Sequence, residues 1–156
     1  MITQLAVAFG LTCATVVIHA LGTLEAIAHL ARKWKTPDGS QGFLVSERRV
    51  VRVVSFLLFL HLVEAGAWAG LYWSAGLLPD LETAVYFSIT SYTTVGYGDV
   101  VLPASWRLLG PIEAAVGILM FGWSTGIMVT ALTKIYSSRL QLPADHSTQG
   151  NEPGGV

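Results

Sequence analysis

Three long apolar stretches constrain this chain more than any other feature, because each is about long enough to cross a lipid bilayer. They lie within segments 1–31, 50–78 and 106–136, and a membrane-crossing helix needs roughly 20 apolar residues. Of the 156 residues only 12% are charged, whereas soluble domains carry about 25%. The pattern predicts an all-α membrane protein, embedded in the lipid bilayer, with three transmembrane helices and no second folded domain.

Positive charge is concentrated in one loop, which sets the expected orientation. Most of the nine Lys and Arg residues lie between positions 32 and 52, and two more follow the third apolar stretch. Basic loops remain on the cytoplasmic side of a membrane. We therefore predict a cytoplasmic loop at 32–49, a cytoplasmic C-terminus and an external N-terminus, in a multi-pass protein of the cell membrane. The net charge of −1 gives no indication of nucleic-acid binding.

The two ends of the chain differ in character. The first apolar stretch is predicted to be a retained helix, since its basic residues follow the apolar run, unlike those of a cleaved signal peptide. It is more polar than a lipid-facing helix needs to be, because it contains Thr12, Thr15, His19, Thr23, Glu25 and His29. The polar tail at 137–156 is predicted to be disordered. The lone cysteine, Cys13, excludes an intrachain disulfide framework.

The loop before the third stretch contains the string that says most about function. It reads Thr94, Val95, Gly96, Tyr97, Gly98, and Asp99 follows. A cation that loses its water needs equivalent oxygens at successive levels, and backbone carbonyls can supply them. Glycine reaches backbone conformations closed to other residues, so Gly96 and Gly98 allow neighbouring carbonyls to line one face. The Thr94 hydroxyl can add a further oxygen.

The segment before this string has the start signals of a short helix. Pro79 stops the preceding helix, Asp80 can cap the next one, and Glu82 suits its first turn. A helix over 81–92 would be about 18 Å long, roughly half a membrane. Such a half-helix is tolerated only where protein encloses it or water contacts it. The negative end of its dipole would favour a cation.

With this string in this context, the chain resembles the pore-loop potassium channels over roughly residues 50–136. The resemblance implies an outer helix at 50–78, a re-entrant pore helix at 81–92, a selectivity filter at 94–98 and an inner helix at 106–136. The first helix is an addition to that two-helix pore. Because one chain supplies one filter loop and such a filter uses four, the expected form is a homotetramer.

The resemblance also assigns roles around the filter. K⁺ would be held by the carbonyls of Thr94, Val95, Gly96 and Tyr97 and by the Thr94 hydroxyl. Tyr86 and Phe87 would brace the filter, although ordinary apolar packing explains them as well. The supporting residues are Thr93, Asp99, Tyr86, Phe87 and Thr90. Thr90 stands where some members carry an acid paired with the aspartate after the filter, so Asp99 is predicted to lack that partner.

Glycines in the third stretch have two interpretations. The resemblance suggests that Gly117 or Gly122 acts as a gating hinge, whereas Gly122 and Gly126 also form a small-xxx-small pattern typical of close helix packing. Pro111 leaves two possible starts for this helix. Either it begins near Gly110, with Pro111 at a tolerated position, or it begins near Ser105 and bends.

Several ionisable residues lie inside the predicted spans, where they are costly in lipid. His61 and Glu64 are three residues apart on one helix face and can pair. Together with Glu113 they are candidates for a buried polar brace, and His19 and Glu25 are also within the spans. A proton-sensitive brace is one hypothesis, since histidine titrates near physiological pH. A satisfied structural cluster is the favoured interpretation.

These observations predict a subunit of a potassium-selective channel that conducts passively and is not an enzyme. K⁺ is the expected ligand, without an organic cofactor or substrate. The alternatives are a weakly selective monovalent cation channel and a non-conducting accessory subunit. A serine hydrolase is a remote alternative, since residues 122–126 fit Gly-x-Ser-x-Gly, but that elbow needs a preceding strand. The predicted spans contain no run of arginines at every third position, so a conventional voltage sensor is not predicted.

Overall fold

The computed structural model describes residues 1–33 and 43–140. Within these ranges the chain forms four helices and no strand. The helices are α1 (Ile2–Lys33), α2 (Phe43–Ser74), α3 (Leu81–Tyr92) and α4 (Leu109–Leu140). The predicted all-α membrane fold is confirmed.

Three of these helices contain an apolar part long enough to cross a membrane. The apolar parts are Ile2–Ala28, Val50–Ser74 and Leu109–Thr133. Each of these helices extends beyond its predicted span at one end, α1 and α4 at the C-terminal end and α2 at the N-terminal end. Hydropathy marks only the apolar part, and polar turns of good helix formers continue the same hydrogen-bond ladder.

The loop predicted at 32–49 and the tail predicted at 137–156 are both partly helical. α1 continues to Lys33 and α2 already begins at Phe43, so part of the 32–49 loop is helical. α4 continues to Leu140, so the first residues of the 137–156 tail belong to this helix. Residues 34–42 and 141–156 lie outside the described part of the chain.

A left-handed glycine ends α2 before the predicted residue 78. Gly76 has φ +65°, and the N–H of Leu77 donates to the Tyr72 carbonyl over 2.9 Å. This is the usual end of a helix at a left-handed residue. α3 then begins after Asp80, whose Oδ1 accepts from the N–H of Thr83 over 2.7 Å. α3 covers the range expected for the pore helix.

The structure decides between the two predicted starts of α4. The helix begins at Leu109, close to the predicted start at Gly110 and later than residue 106. Pro111 therefore lies in the first turn, where its missing N–H has no helical acceptor to lose.

The packing of the helices places α3 in the core. α1 packs against α2 and α4, and α3 also packs against α2 and α4. The side chains of Trp68, Tyr72, Tyr92 and Leu109 are almost completely buried there. Many large apolar side chains on the outer faces of the spanning helices are exposed, such as Phe9 on α1. Such a surface is favourable in contact with lipid.

Candidate functional site

The backbone after α3 alternates in handedness. Thr94, Gly96 and Gly98 have φ of +63°, +49° and +78°. Among the described residues other than glycine only Thr94 has a positive φ, so Val95 and Tyr97 between them do not. In an ordinary strand the carbonyls point alternately to opposite sides, and reversing the backbone hand at every second residue removes this alternation. The positive φ values at these three positions are compatible with carbonyls that line one face.

Thr94 is the unexpected member of this series. A β-branched residue at positive φ is rare, and such backbone strain costs about 1–3 kcal/mol. The end of α3 holds the strained segment in place. The N–H of Thr94 donates to the Ser91 carbonyl over 2.9 Å, and the N–H of Gly96 donates to the Thr90 carbonyl over 3.0 Å. Strain that is fixed in this way commonly marks a functional site.

Asp99, directly after the loop, has a partner that the sequence did not suggest. The Tyr86 hydroxyl donates to Asp99 Oδ2 over 2.7 Å, and the N–H of Val100 donates to Oδ1 over 3.0 Å. The hydrogen bond from Tyr86 lowers the pKa of Asp99 and raises the pKa of the Tyr86 phenol. The Thr90 hydroxyl instead donates to the Phe87 carbonyl over 3.0 Å. Asp99 is therefore paired with the phenol of Tyr86 and not with an acid at position 90.

The other predicted supporting residues occupy different environments. Phe87 is buried, and its ring centroid lies 5.2 Å from that of Tyr72, so it packs between α3 and α2. Thr93 caps the end of α3, and its hydroxyl donates to the Ile89 carbonyl over 2.6 Å. Tyr86 contacts the end of the filter loop, whereas Phe87 is part of the apolar core.

The filter loop of the single chain exposes two large side chains that a soluble surface would not favour. Val95 is 51% exposed and Tyr97 is 73% exposed. Beside them an open cleft of about 330 Å³ lies between the loop, α3 and the start of α4, and is lined in part by Phe87, Leu102 and Pro111. The cleft is mainly apolar, although Arg107 also lines it.

Five polar side chains from all four helices meet inside the spanning region. We call them the four-helix cluster: His19 of α1, His61 and Glu64 of α2, Tyr92 of α3 and Ser124 of α4. His19 Nδ1 lies 2.8 Å from Glu64 Oε1, and the Tyr92 hydroxyl donates to Glu64 Oε2. His61 Nδ1 lies 3.2 Å from the Tyr92 hydroxyl and 3.4 Å from Glu64 Oε2.

The remaining ring nitrogens of the cluster share one hydroxyl. Ser124 Oγ lies 3.3 Å from His19 Nε2 and 3.0 Å from His61 Nε2. His19, His61, Glu64 and Ser124 are all buried. Tyr92 is the last residue of α3, directly before Thr93 and the filter loop, so the cluster connects α1 to the end of the pore helix.

Glu113 belongs to a separate group. Its Oε2 accepts from the Tyr72 hydroxyl over 2.7 Å, and its Oε1 accepts from the Ser88 hydroxyl over 2.5 Å. This group joins α4 to α2 and α3. The three residues of the predicted brace therefore fall into two clusters, with His61 and Glu64 in one and Glu113 in the other.

The two candidate hinge glycines differ in their surroundings. A Cβ added to Gly117 would lie 2.0 Å from the carbonyl oxygen of Tyr92, whereas one added to Gly122 would meet nothing within 4 Å. The backbones of α4 and α3 approach closely at Gly117. Close packing explains Gly117, and a hinge at Gly122 stays a prediction.

The Gly-x-Ser-x-Gly string lies inside α4 rather than after a strand. Ser124, His61 and Glu64 nevertheless follow the order of hydroxyl, imidazole and carboxylate seen in hydrolase triads. A helical serine does not have the exposed strand-to-helix turn that such enzymes use, and the neighbouring amides are engaged in the helix. The geometry offers no oxyanion hole at Ser124.

Sequence reasoning missed the participation of His19, Tyr92 and Ser124 in one cluster. A signal was present in α1, where Thr15, His19 and Thr23 are spaced by four residues and so share one helix face. All three are buried. The indole N–H of Trp68 donates to the Thr15 hydroxyl over 3.1 Å, so this face is the one that packs against α2.

Comparisons with known proteins agree with this architecture. A profile of a family described as "Ion channel" matches residues 53–134, which include α3, the filter loop and most of α2 and α4. The voltage-gated potassium channel Kch of Escherichia coli (strain K12) is 31% identical to the chain over 103 residues. That match covers 64% of this chain and 23% of the relative, so the chain spans less than a quarter of that protein's length. No solved structure gives a significant match.

Proposed function

Because this chain belongs to the pore-loop potassium channel family, we propose that it conducts K⁺ selectively and passively as a homotetramer. Four copies of the loop at Thr94–Gly98 would surround one axis, and their carbonyls would replace the water of the ion. The proposed ligands of K⁺ are the carbonyls of Thr94, Val95, Gly96 and Tyr97 and the Thr94 hydroxyl. The proposal includes no organic cofactor or substrate and no nucleic acid.

The alternating backbone of the filter loop is the observation that carries this proposal. Positive φ at Thr94, Gly96 and Gly98 is an unusual conformation for a connecting loop, and Thr94 adopts it at a steric cost. Coordination of a dehydrated cation by the carbonyls would explain why the loop keeps this strained conformation. α3 also directs the negative end of its dipole towards the loop that follows it, which favours a cation there.

The exposed filter side chains support assembly with further copies of the same chain. Val95 and Tyr97 are exposed beside an open apolar cleft. A head-to-tail contact in which one copy fills the cleft of the next forms a ring when the rotation closes. Four copies provide the four loops that such a filter needs. The protein is proposed to lie in a cell membrane. The basic segment around 32–52 favours a cytoplasmic location for this loop, which leaves the N-terminus on the outside.

Potassium flux into reconstituted vesicles tests the proposal. The wild type should carry K⁺ well and Na⁺ poorly, and Gly96→Ala should abolish selective conduction, since alanine at the φ of +49° costs about 1–2 kcal/mol. Gly66→Ala is a matched control, because it lies inside α2 and its added Cβ would meet nothing within 4 Å. The control should conduct like the wild type.

The same experiment distinguishes the alternatives. Equal reversal potentials for K⁺ and Na⁺ would identify a weakly selective cation channel. A purified tetramer that carries neither ion would identify an accessory subunit. Unchanged K⁺ selectivity in Gly96→Ala would contradict the assignment of the filter.

A further inference from the structure

The four-helix cluster contains a set of metal-ligating side chains outside the filter. His19, His61 and Glu64 each place a ligand atom within 4.8 Å of the other two, and all three are buried. Two imidazoles and one carboxylate form a protein ligand set for Zn²⁺ that leaves a fourth position open. Ionisable groups buried at this depth in a membrane are expensive and usually serve a function.

The separations within the cluster fit a tetrahedral ion. Bonds of about 2.0–2.1 Å to nitrogen and oxygen place neighbouring ligand atoms about 3.3 Å apart. Glu64 lies 2.8 Å from His19 Nδ1 through Oε1 and 3.4 Å from His61 Nδ1 through Oε2. The Tyr92 oxygen lies 3.2 Å from His61 Nδ1 and is the candidate for the fourth position. The ligand atoms of the three residues lie within 4.8 Å of one another, so the side chains would have to move closer together to complete the site.

Ser124 supplies the outer contact that metal-bound histidines usually have. A ligating histidine donates its other ring N–H to an oxygen, which fixes the tautomer. Nε2 of His19 and Nε2 of His61 both lie within 3.3 Å of Ser124 Oγ, and one hydroxyl has two acceptor lone pairs. With both rings protonated at Nε2, both Nδ1 lone pairs are available to a cation, whereas in the other tautomer Nδ1–H of His19 donates to Glu64.

A count of hydrogens shows what the four-helix cluster lacks. Five contacts join the groups of the cluster, and each needs one hydrogen. Two neutral imidazoles, one phenol and one hydroxyl supply four hydrogens, and an ionised carboxylate supplies none. The network is therefore one hydrogen short. A proton on an imidazole or on the Glu64 carboxyl can supply it, and a metal ion in place of the hydrogens on the two Nδ1 atoms removes the need for it.

We propose that the four-helix cluster binds one Zn²⁺-like transition-metal ion per chain, ligated by His19 Nδ1, His61 Nδ1 and the Glu64 carboxylate. His19 comes from α1, while Tyr92 ends the pore helix directly before the filter. The ion would clamp the additional N-terminal helix to the support of the filter. This site uses no filter residue, so the proposal stands or falls independently of K⁺ selectivity.

Cobalt binding tests the site directly, since Co²⁺ takes tetrahedral zinc sites and then absorbs strongly in the visible range. Full-length protein is purified with a chelator, and Co²⁺ alone is added during and after reconstitution, so that entry to the buried site does not limit loading. We expect an intense tetrahedral spectrum with one Co²⁺ per chain, which Zn²⁺ abolishes by displacement. Assembly is followed in the same samples by size-exclusion chromatography.

Substitutions assign the ligands. Glu64→Gln and His19→Gln should lower Co²⁺ affinity at least 100-fold, and Ser124→Ala should lower it about 10- to 100-fold as an outer contact. Glu113→Gln is the matched control, because Glu113 is an equally buried carboxylate in a separate group. It should keep the cobalt spectrum. If a ligand variant fails to assemble, the wild-type stoichiometry and Zn²⁺ competition still decide the question.

Two results would overturn the proposal. The first is the absence of a tetrahedral spectrum in the assembled wild type at millimolar Co²⁺. The second is equal binding in Glu64→Gln and the wild type. Either result would mean that the cluster is a hydrogen-bonded network alone, with its fifth hydrogen on an imidazole or on the Glu64 carboxyl.

Discussion

At the scale of single residues, the contact between Tyr86 and Asp99 is the one most open to a pH test. The phenol donates to the carboxylate and lowers the pKa of Asp99 in the folded protein. A lowered folded-state pKa adds stability above the unfolded-state pKa, which is about 3.9 for Asp. That contribution is lost as the pH falls through the lowered value. The contact therefore stabilises the filter end at neutral pH and not in strong acid.

Tyr86→Phe should consequently lower the thermal midpoint of the assembled protein at pH 7. The difference from the wild type should shrink as the pH falls below about 3.9 and vanish only below the lowered pKa of Asp99. The measurement is thermal unfolding of the purified protein across this pH range. In an Asp99→Asn background the same substitution should have little effect, because the ionised acceptor is absent. A difference that persists unchanged at pH 3 would show that the phenol acts through packing instead.

At the scale of secondary-structure elements, the contact between α3 and α4 depends on one missing side chain. The Tyr92 carbonyl lies so close to Gly117 that a Cβ would be 2.0 Å from its oxygen. The neighbouring atom is backbone at the end of the pore helix, so it cannot move without displacing the start of the filter. α1, by contrast, is joined to α2 by side chains, through Trp68 with Thr15 and through the four-helix cluster.

Gly117→Ala should therefore destabilise the protein by about 1–3 kcal/mol or more, as overpacking does. Gly122→Ala should leave stability unchanged or raise it by up to about 1 kcal/mol, since alanine is the better helix former. Chemical or thermal unfolding measures both. Equal stability of the two variants would contradict the close approach at Gly117. Altered gating in a stable Gly122→Ala protein would support the predicted hinge.

At the scale of the whole molecule, the proposed filter exists only in the assembled form. An ion that binds the assembly and not the separate chains stabilises the assembly by mass action. K⁺ at about 100 times its dissociation constant would add about 2.7 kcal/mol for one site. Assembly and ion binding are thus linked through the exposed edge formed by Val95 and Tyr97.

The wild-type tetramer should accordingly dissociate at a higher temperature in K⁺ than in Na⁺ of equal ionic strength, and Gly96→Ala should remove the difference. Native gel electrophoresis or light scattering after heating measures dissociation. Identical behaviour in the two salts would argue against K⁺-selective sites shared by several chains. Choline as the cation provides a reference without a filter-sized ion.

Sequence alone determined the features that depend on neighbouring residues or on chain length. Bilayer thickness sets the length of the apolar spans, Asp80 caps the start of α3, and Gly96 and Gly98 permit left-handed backbone. Pro79 is predicted to stop α2, but the helix already ends at Ser74, before Gly76. Only the tertiary structure decided which side chains meet. It placed His19 against Glu64, separated Glu113 from both, and put Thr94 in a strained conformation. The reason is that these contacts depend on how the helices rotate and pack, and hydropathy specifies neither.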